Sequence, residues 1–335
     1  MKLKNIFIPA SLTLSIVLAL ALAACADNKS VGKAEATSSE KSSKSVAEIR
    51  IGHQKSGSLV FLKDQKFLEQ ELTKQNIKVK WVEFPSGPPM LEALNTGNLD
   101  FATTGEAPPV FAQAASSGLV YVAHEKASPD SEGLLLPKNS PITDPKQLKG
   151  KRIAVTKGSS AHYTLVQALK KYGIAFSDIK PIYLQPSDAR AAFEQGNVDA
   201  WVIWEPYRVA AEKQLGARTL FNAEGLKPSY SFYLARKEFA AEHPELIQTV
   251  VAQVDRADKA INADLDGFGK ITAKLIGLPQ DIAIEGVKRR QYGASFITPD
   301  VVAEQQKVAD AFYELKLIPK HVQVQDIVWQ VPPSK

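Results

Sequence analysis

One strand–loop–helix pattern occurs twice in this chain, about a hundred residues apart, and this repeat constrains the fold more than any other feature. In each copy a short apolar run leads into a polar loop with glycine and serine, and an amphipathic segment follows. A second pair of motifs, at 97–100 and 196–199, reads Gly-Asn-Leu/Val-Asp, and each is followed by a predicted strand that ends in glutamate. Short apolar runs that alternate with amphipathic segments predict an α/β fold. The predicted elements are strands at 48–54, 101–106, 152–156, 200–205 and 231–235 and helices at 59–72, 161–172, 244–264, 268–276, 279–292 and 299–315.

The repetition predicts two α/β lobes of related design, joined by two crossover segments. Turn-forming residues at 137–145 mark the first crossover, and the strand at 231–235 brings the chain back. We therefore expect lobe 1 to comprise 47–136 and 234–335, and lobe 2 to comprise 137–233. The helical tail would pack on lobe 1 and hold the lobes together. Two connections between lobes form a hinge, and a hinge implies a ligand cleft between them.

The N-terminus has the features of a bacterial export signal. Lys2 and Lys4 precede an apolar run at 6–24, which leads through Leu-Ala-Ala to Cys25, the one cysteine of the chain. Small residues before a cleavage point are typical of a signal peptide, so residues 1–24 are predicted to be removed. The motif resembles a lipobox, in which the cysteine carries a diacylglyceryl group, and two acyl chains suffice for stable anchoring. An uncleaved anchor is the alternative, because the run approaches the ~20 residues that span a bilayer.

The segment that follows the cysteine predicts a flexible tether. Residues 25–46 are rich in Ser, Lys, Ala and Glu and contain no aromatic side chain, so they cannot bury enough surface to fold. We therefore expect an exported protein that is lipid-anchored to a bacterial membrane, on its periplasmic or cell-surface side.

The composition argues against nucleic-acid binding, disulfide bonds and enzyme chemistry. Removal of Lys2 and Lys4 with the signal lowers the formal net charge from +5 to +3, and we interpret the one basic run, at 288–290, as a solvated helix face. A single cysteine excludes an intramolecular disulfide. The sequence has no Gly-x-Ser-x-Gly elbow, zinc-ligand spacing or phosphate-binding Gly-Lys loop, and its five histidines are isolated. We therefore expect a monomeric binding protein without a catalytic residue, a metal or a cofactor.

Four strand-to-helix junctions, at 54–58, 103–108, 156–162 and 204–207, predict the binding site. In open α/β sheets, ligands bind beyond the carboxyl ends of the strands, where the first helical turn has unpaired N–H groups and a partial positive charge. The glycine and hydroxyl side chains of these junctions suit a sulfonate, because this anion stays ionised and only accepts hydrogen bonds. The candidate ligand-binding residues are Gln54, Ser56, Gly57, Thr104, Gly105, Glu106, Gly158, Ser159, Ser160, His162, Trp204 and Glu205.

Several of these residues also have a purely structural interpretation. Ser159 and Ser160 are typical helix-capping residues, and a lone histidine such as His162 more often packs or caps than binds a ligand. Glu106 and Glu205 leave a protonated phosphate open as the ligand, since a carboxylate can accept its proton. Glu205 either caps its own helix or faces the ligand, in which case it would favour zwitterions such as taurine.

The two tryptophans at 201 and 204 lie on one predicted strand. Because side chains alternate along a strand, the two should point to opposite faces of the sheet. We expect Trp201 in the core and Trp204 at the cleft, as a wall for an alkyl chain.

Six stretches of the body carry a family resemblance: 81–94 (WVEFPSGPPMLEAL), 104–109 (TGEAPP), 157–162 (KGSSAH), 188–193 (DARAAF), 195–201 (QGNVDAW) and 231–235 (SFYLA). Through them the chain, over about 47–330, resembles the aliphatic sulfonate-binding proteins of the nitrate/sulfonate/taurine ABC uptake systems. The resemblance implies a periplasmic-binding-protein type II fold, with mixed sheets and helices on both faces, that closes around a sulfonate and docks on an ABC transporter permease. It places the sulfonate between the lobes, near 54–57, 104–106 and 158–162.

The sequence departs from the family at two points. Glu106 and Glu205 stand where members often carry aspartate, so each carboxylate reaches one methylene further. The lipobox at Cys25 replaces an ordinary cleavable signal. The same scaffold could also carry taurine, nitrate or a pyrimidine vitamin precursor, although nitrate is small and planar and needs no apolar wall.

Overall fold

The computed structural model of the chain describes residues 46–116 and 118–332. The predicted signal peptide, the lipidation site at Cys25 and all but the last residue of the predicted tether lie outside the described residues. None of the helices described in those ranges combines the length and the apolar character needed to cross a membrane.

The described residues form two mixed β-sheets with helices on both faces, as the sequence predicts. The strands are β1 (Glu48–His53), β2 (Lys78–Glu83), β3 (Phe101–Gly105), β4 (Leu119–His124), β5 (Glu132–Leu136), β6 (Arg152–Val155), β7 (Lys180–Tyr183), β8 (Ala200–Trp204), β9 (Arg218–Asn222), β10 (Ser231–Arg236) and β11 (Ser295–Phe296). Sheet 1 has the order β11-β4-β10-β3-β1-β2, and sheet 2 has the order β7-β6-β8-β5-β9. The central strand β8 is buried along its whole length, because helices cover both of its faces.

The helices connect these strands or follow them as a helical tail. They are α1 (Ser58–Gln65), α2 (Phe67–Leu72), α3 (Gly87–Asn95), α4 (Ala107–Ala115), α5 (Ser160–Lys171), α6 (Pro186–Glu194), α7 (Tyr207–Leu215), α8 (Lys237–Glu242), α9 (Pro244–Ala263), α10 (Leu265–Ile276), α11 (Gln280–Lys288) and α12 (Pro299–Glu314). The predicted helix at 59–72 is in fact two helices, because Lys66 adopts a left-handed φ of 55° between them. In the tail, α9 packs against α1 and α2, whereas α11 packs against α7, so the tail contacts helices that flank both sheets.

The two sheets repeat one design, and the Gly-Asn-Leu/Val-Asp motif has the same role in each. The Asp100 carboxylate accepts the backbone N–H of Arg50 at 2.9 Å and pairs with its guanidinium at 2.7 Å. The Asp199 carboxylate binds the N–H of Arg152 at 2.7 Å and its guanidinium at 2.9 Å. Both aspartates therefore tie the start of a parallel strand to the strand beside it, which explains the recurrence of the motif.

The chain passes from sheet 1 to sheet 2 between β4 and β5 and returns between β9 and β10. The strand at 132–136, which the sequence places in lobe 1, instead pairs with β8 and β9 of sheet 2. The return strand at 231–236 lies between β3 and β4, so it belongs wholly to sheet 1. The division into two lobes is a proposal that the two sheets support.

Candidate functional site

A cavity of about 50 Å³ lies where the carboxyl ends of strands from both sheets meet. This is roughly three to five times the space that one buried water needs, so a small anionic group could enter it. The loop after β1, the end of β3, the start of α5 and the end of β8 all contribute to its wall. Eight of the twelve candidate residues line it: Gln54, Ser56, Gly57, Thr104, Gly105, Ser159, Ser160 and Trp204.

The start of α1 supplies the most direct donors to this cavity. Gly57 has a φ of 89°, a left-handed value that strongly favours glycine, and it turns the chain from β1 into the helix. Ser58 follows as the first helical residue, and the Val60 N–H donates to the Gly57 carbonyl at 3.1 Å, so the N–H groups of Ser58 and Leu59 are the ones without a carbonyl partner in the helix. An anion in the cavity can accept hydrogen bonds from them.

The hydroxyl groups of the two serines at the start of α5 already form hydrogen bonds within the protein. The Ser159 hydroxyl donates to the Thr156 carbonyl at 2.7 Å and accepts the His162 N–H at 3.3 Å, which is the capping interpretation. Ser160 makes a side-chain hydrogen bond to Glu132. Both serines line the cavity, but Ser159 has already used its one hydroxyl hydrogen.

Arg290 lines the same cavity, and the sequence interpretation missed it. One guanidinium nitrogen, Nη2, donates to Ser231 Oγ at 3.2 Å, whereas Nε is buried without a hydrogen-bond partner in the described ranges. The neighbouring Lys288 pairs with Asp266 at 2.7 Å on the exposed side of α11, and Arg289 pairs with Glu205 at 2.8 Å. The interpretation of 288–290 as a solvated face therefore holds for the lysine and is wrong for the two arginines. Only the fold shows that the end of α11 reaches the cavity.

Glu205 does not line this cavity. Its carboxylate is buried and receives Arg208 Nε at 2.9 Å, Arg289 Nη1 at 2.8 Å and the Val209 N–H at 3.0 Å. Burial raises the pKa of Glu205, although both arginines oppose that shift. Two guanidinium groups pair with the carboxylate, so it is not available to form an ion pair with a ligand ammonium group. Arg208, which had no role in the sequence interpretation, also pairs with Asp130 at 3.0 Å.

Glu106 is likewise held away from the cavity, by a lysine that the sequence interpretation missed. Lys227, from the segment that returns the chain to sheet 1, binds the Glu106 carboxylate and also Glu132 at 2.9 Å. Burial raises the pKa of Glu106 to about 7, against the attraction of Lys227. Glu132 does line the cavity, and it accepts the Thr164 hydroxyl at 2.6 Å. Lys227 thus joins a carboxylate beside sheet 1 to one on sheet 2.

His162 and Gly158 do not line the cavity, and a hydrogen bond between them supports the loop before α5. His162 is fully buried, and its ring lies 5.4 to 5.6 Å from the rings of Phe176, Tyr183 and Phe312. The His162 Nδ1 atom accepts the Gly158 N–H at 3.2 Å, so the neutral ring carries its hydrogen on Nε2. Burial lowers the pKa of His162 to about 4. These contacts match the packing interpretation of this histidine.

The two tryptophans of β8 lie as strand alternation predicts. Trp201 is 1% exposed in the core of sheet 2, where its ring lies 5.9 Å from the Phe193 ring. Trp204 lines the cavity and makes an edge contact with Tyr207 at 6.2 Å. Pro108 and Tyr230 complete the apolar part of the wall.

The described residues contain no group of three or more His, Cys, Asp or Glu side chains that could hold a metal ion. The arrangement therefore has the parts of an anion-binding site: backbone donors, one guanidinium group and an apolar wall.

Comparison with known proteins identifies the family. Residues 72–264 match the family model described as NMT1/THI5 like. An aliphatic sulfonates-binding protein of Escherichia coli is 44% identical over 286 residues, which cover 84% of this chain and 88% of the relative. One of Bacillus subtilis is 36% identical over 287 residues, covering 85% and 86%. The solved structure of the alkanesulfonate-binding protein of Xanthomonas axonopodis pv. citri, bound to MOPS, is 42% identical with a TM-score of 0.81, covering 84% of this chain and 98% of that one. The chain therefore belongs to the NMT1/THI5-like family, alongside the aliphatic sulfonates-binding proteins of these bacteria.

Proposed function

We propose that this protein is an extracytoplasmic solute-binding protein that captures aliphatic sulfonates and delivers them to an ABC importer for sulfur acquisition. The observation that carries the proposal is the cavity in which strand ends from both sheets meet beside Arg290. Relatives 44% and 36% identical are named for aliphatic sulfonates, and a solved relative holds MOPS, which is an N-substituted propanesulfonate.

The donors of the cavity suit the head group of a sulfonate. A sulfonate is ionised at every physiological pH, and its three oxygens only accept hydrogen bonds. Arg290 is permanently charged and only donates, and the N–H groups after Gly57 also only donate. Charge-assisted hydrogen bonds of this kind are shorter and roughly twice as strong as neutral ones.

The apolar wall suits a short alkyl chain. Trp204 is 8% exposed, and with Pro108 and Tyr230 it offers apolar surface beside the donors. Each methylene that leaves water contributes about 0.8 kcal/mol. Affinity should therefore rise with chain length until the chain extends beyond the wall.

A plain sulfonate fits this cavity better than a zwitterion such as taurine. A ligand ammonium group requires a carboxylate that is not already paired. Glu205 is held by two arginines, and Glu132 is held by Lys227, so neither can receive an ammonium group without losing an existing ion pair. Glu125 also lines the cavity, but its carboxyl oxygens already accept the Ser58 and Tyr233 hydroxyls and the Gly293 N–H.

We further propose that the protein works outside the cytoplasm, anchored to a membrane through Cys25, as a binding protein and not as an enzyme. The support is the lipobox-like sequence at 22–25 and the names of the three relatives described above, each of which is a binding protein. The one cysteine of the chain would carry lipid, so it would not serve as a nucleophile.

Calorimetric titration of the purified protein with methane-, ethane-, butane- and octanesulfonate, taurine and nitrate tests the proposal. We expect one alkanesulfonate per protein, with affinity rising from the methyl to the butyl compound, and taurine at least tenfold weaker than ethanesulfonate. Tighter binding of taurine or nitrate than of every alkanesulfonate would reassign the cargo, and no binding of any sulfonate would refute the proposal.

A further inference from the structure

Two carboxyl groups meet one hydroxyl group directly behind the cavity wall. Ser58 Oγ lies 2.8 Å from Glu125 Oε1 and also contacts Asp258 Oδ1. All three side chains are buried, at 3%, 5% and 1% exposure respectively. Ser58 and Glu125 line the cavity, whereas Asp258 reaches the same hydroxyl from α9.

The other donors to this pair are fixed and uncharged. Glu125 Oε1 also accepts the Tyr233 hydroxyl, and Glu125 Oε2 accepts the Gly293 N–H at 2.9 Å. Asp258 Oδ2 accepts the Ala294 N–H at 2.8 Å. The donors that the described residues present to the two carboxyl groups are therefore hydroxyl and N–H groups, without a charged partner.

A count of hydrogens decides the protonation state. The Ser58 hydroxyl has one hydrogen but contacts two carboxyl oxygens, so it can donate to only one of them. If both carboxyls were ionised, the second oxygen would face a lone pair of Ser58 in a buried, weakly screened place. One added proton removes the conflict, because a protonated carboxyl donates to Ser58 Oγ while Ser58 donates to the other carboxylate.

The surrounding charges support the same state. Burial raises the pKa of Asp258 to about 8, and the charges of Glu125 and then Asp255 add to the shift. Burial raises the pKa values of Tyr233 and Tyr292 far enough that both phenols stay protonated. The cation that lines the cavity with this cluster is Arg290.

The stem of Lys126 also approaches the segment that donates to the pair. A Cβ atom added to Gly293 would lie 2.7 Å from Lys126 Cε.

We propose that the Glu125–Asp258 pair retains a single proton when an anion occupies the cavity, and that sulfonate capture above neutral pH is coupled to proton uptake by this pair. The inference rests on the proposed function. The two carboxyls act as positioning residues that orient Ser58 at the start of α1, and the proton that they share lowers the negative charge behind the ligand by one unit.

The sign of the pH dependence follows from linkage. A bound anion stabilises the protonated pair, so the pKa of the pair is higher with ligand than without it. Affinity is therefore full below the pKa of the free protein, falls as pH rises through it, and levels off above the pKa of the complex. Since the sulfonate itself does not titrate, the change comes from the protein alone.

Calorimetry of butanesulfonate binding in two buffers with different ionisation enthalpies measures the proton directly. At pH 8.5 we expect uptake of about half a proton per ligand, and from pH 7 to pH 9.5 a loss of affinity of roughly fivefold to tenfold. The Asp258→Asn protein keeps a donor toward Ser58 but cannot ionise, so its uptake at pH 8.5 should vanish. Glu125→Gln tests the same pair if the first variant does not fold.

Glu106→Gln is the matched control, because Glu106 is a second buried carboxyl of raised pKa, about 7, in a different cluster. This variant should keep the uptake at pH 8.5. Binding without proton uptake in the wild type, or uptake that persists in Asp258→Asn and Glu125→Gln, would overturn the coupling alone. No sulfonate binding at any pH would overturn the proposed function and, with it, the coupling.

Discussion

Replacement of Arg290 should weaken sulfonate binding more than any other single change in the basic run at 288–290. Among the described residues its Nε atom has no hydrogen-bond partner and its Nη2 atom donates to Ser231 Oγ at 3.2 Å, so the guanidinium group retains N–H donors for an anion in the cavity that it lines. Hydrogen bonds to charged groups contribute about 1.5–3 kcal/mol each. Because Arg290 is only partly buried, we expect its replacement to cost about 2 kcal/mol of binding free energy, which is roughly a 30-fold increase in Kd.

Arg290→Gln and Arg290→Lys, titrated with butanesulfonate, separate charge from geometry. Glutamine removes the charge and should show the full loss, whereas lysine keeps the charge without the planar fork and should lose roughly tenfold. Lys288→Gln is the control from the same run, because this exposed lysine pairs with Asp266 away from the cavity. If the folded Arg290→Gln protein bound within threefold of the wild type, the head group would lie elsewhere.

Four further outcomes test other parts of the structure. Ser159→Ala should lower the free energy of unfolding by about 1 kcal/mol, because a helix cap is lost. Calorimetry should show that its affinity for sulfonate changes by less than roughly threefold, and a larger loss of affinity would make Ser159 a ligand contact. Burial lowers the pKa of His162 to about 4, so the free energy of unfolding of the wild type should fall by about 3 kcal/mol as pH falls from ~6.5 to 4. Urea titrations at several pH values measure this fall, and His162→Gln should make it smaller. Sulfonate should change the tryptophan emission, and Trp204→Phe but not Trp329→Phe should abolish the change. Cys25→Ser should move the protein from the membrane to the soluble fraction of fractionated cells, whereas persistent membrane binding would favour an uncleaved anchor.

The elements that depend on local pattern could be read from the sequence. The repeat predicts two sheets of one design, and the structure shows why the Gly-Asn-Leu/Val-Asp motif recurs. Asp100 and Asp199, the last residues of the two motifs, each bind an arginine of the neighbouring strand. Alternation along β8 places Trp201 and Trp204 on opposite sides. Each of the four junctions also contributes residues to one cavity, since the carboxyl ends of parallel strands lie at the same edge of a sheet.

The residues that the sequence could not reveal reach the site from distant segments. Asp258 meets Ser58 across 200 positions, and Lys227 meets Glu106 across 121. Arg290 arrives from the end of a tail helix. No periodicity or motif spacing encodes such contacts, because they depend on how whole elements pack. The sequence also places Glu106 and Glu205 near the ligand, because Lys227, which holds Glu106, and Arg289, which holds Glu205 together with the nearby Arg208, are remote in sequence.

The ion pairs around the cavity support the proposal of an anionic ligand. Glu205 is neutralised by two arginines, Glu106 and Glu132 share one lysine, and Glu125 and Asp258 meet at one hydroxyl that requires a shared proton. A buried charge is costly unless a partner or hydrogen bonds compensate it, so each of these carboxyl groups depends on the donors of its own cluster. Arg290 stands apart, since the partner identified for it in the described structure is a serine hydroxyl. An anionic ligand would pair with this guanidinium group, whereas a cation would meet its repulsion.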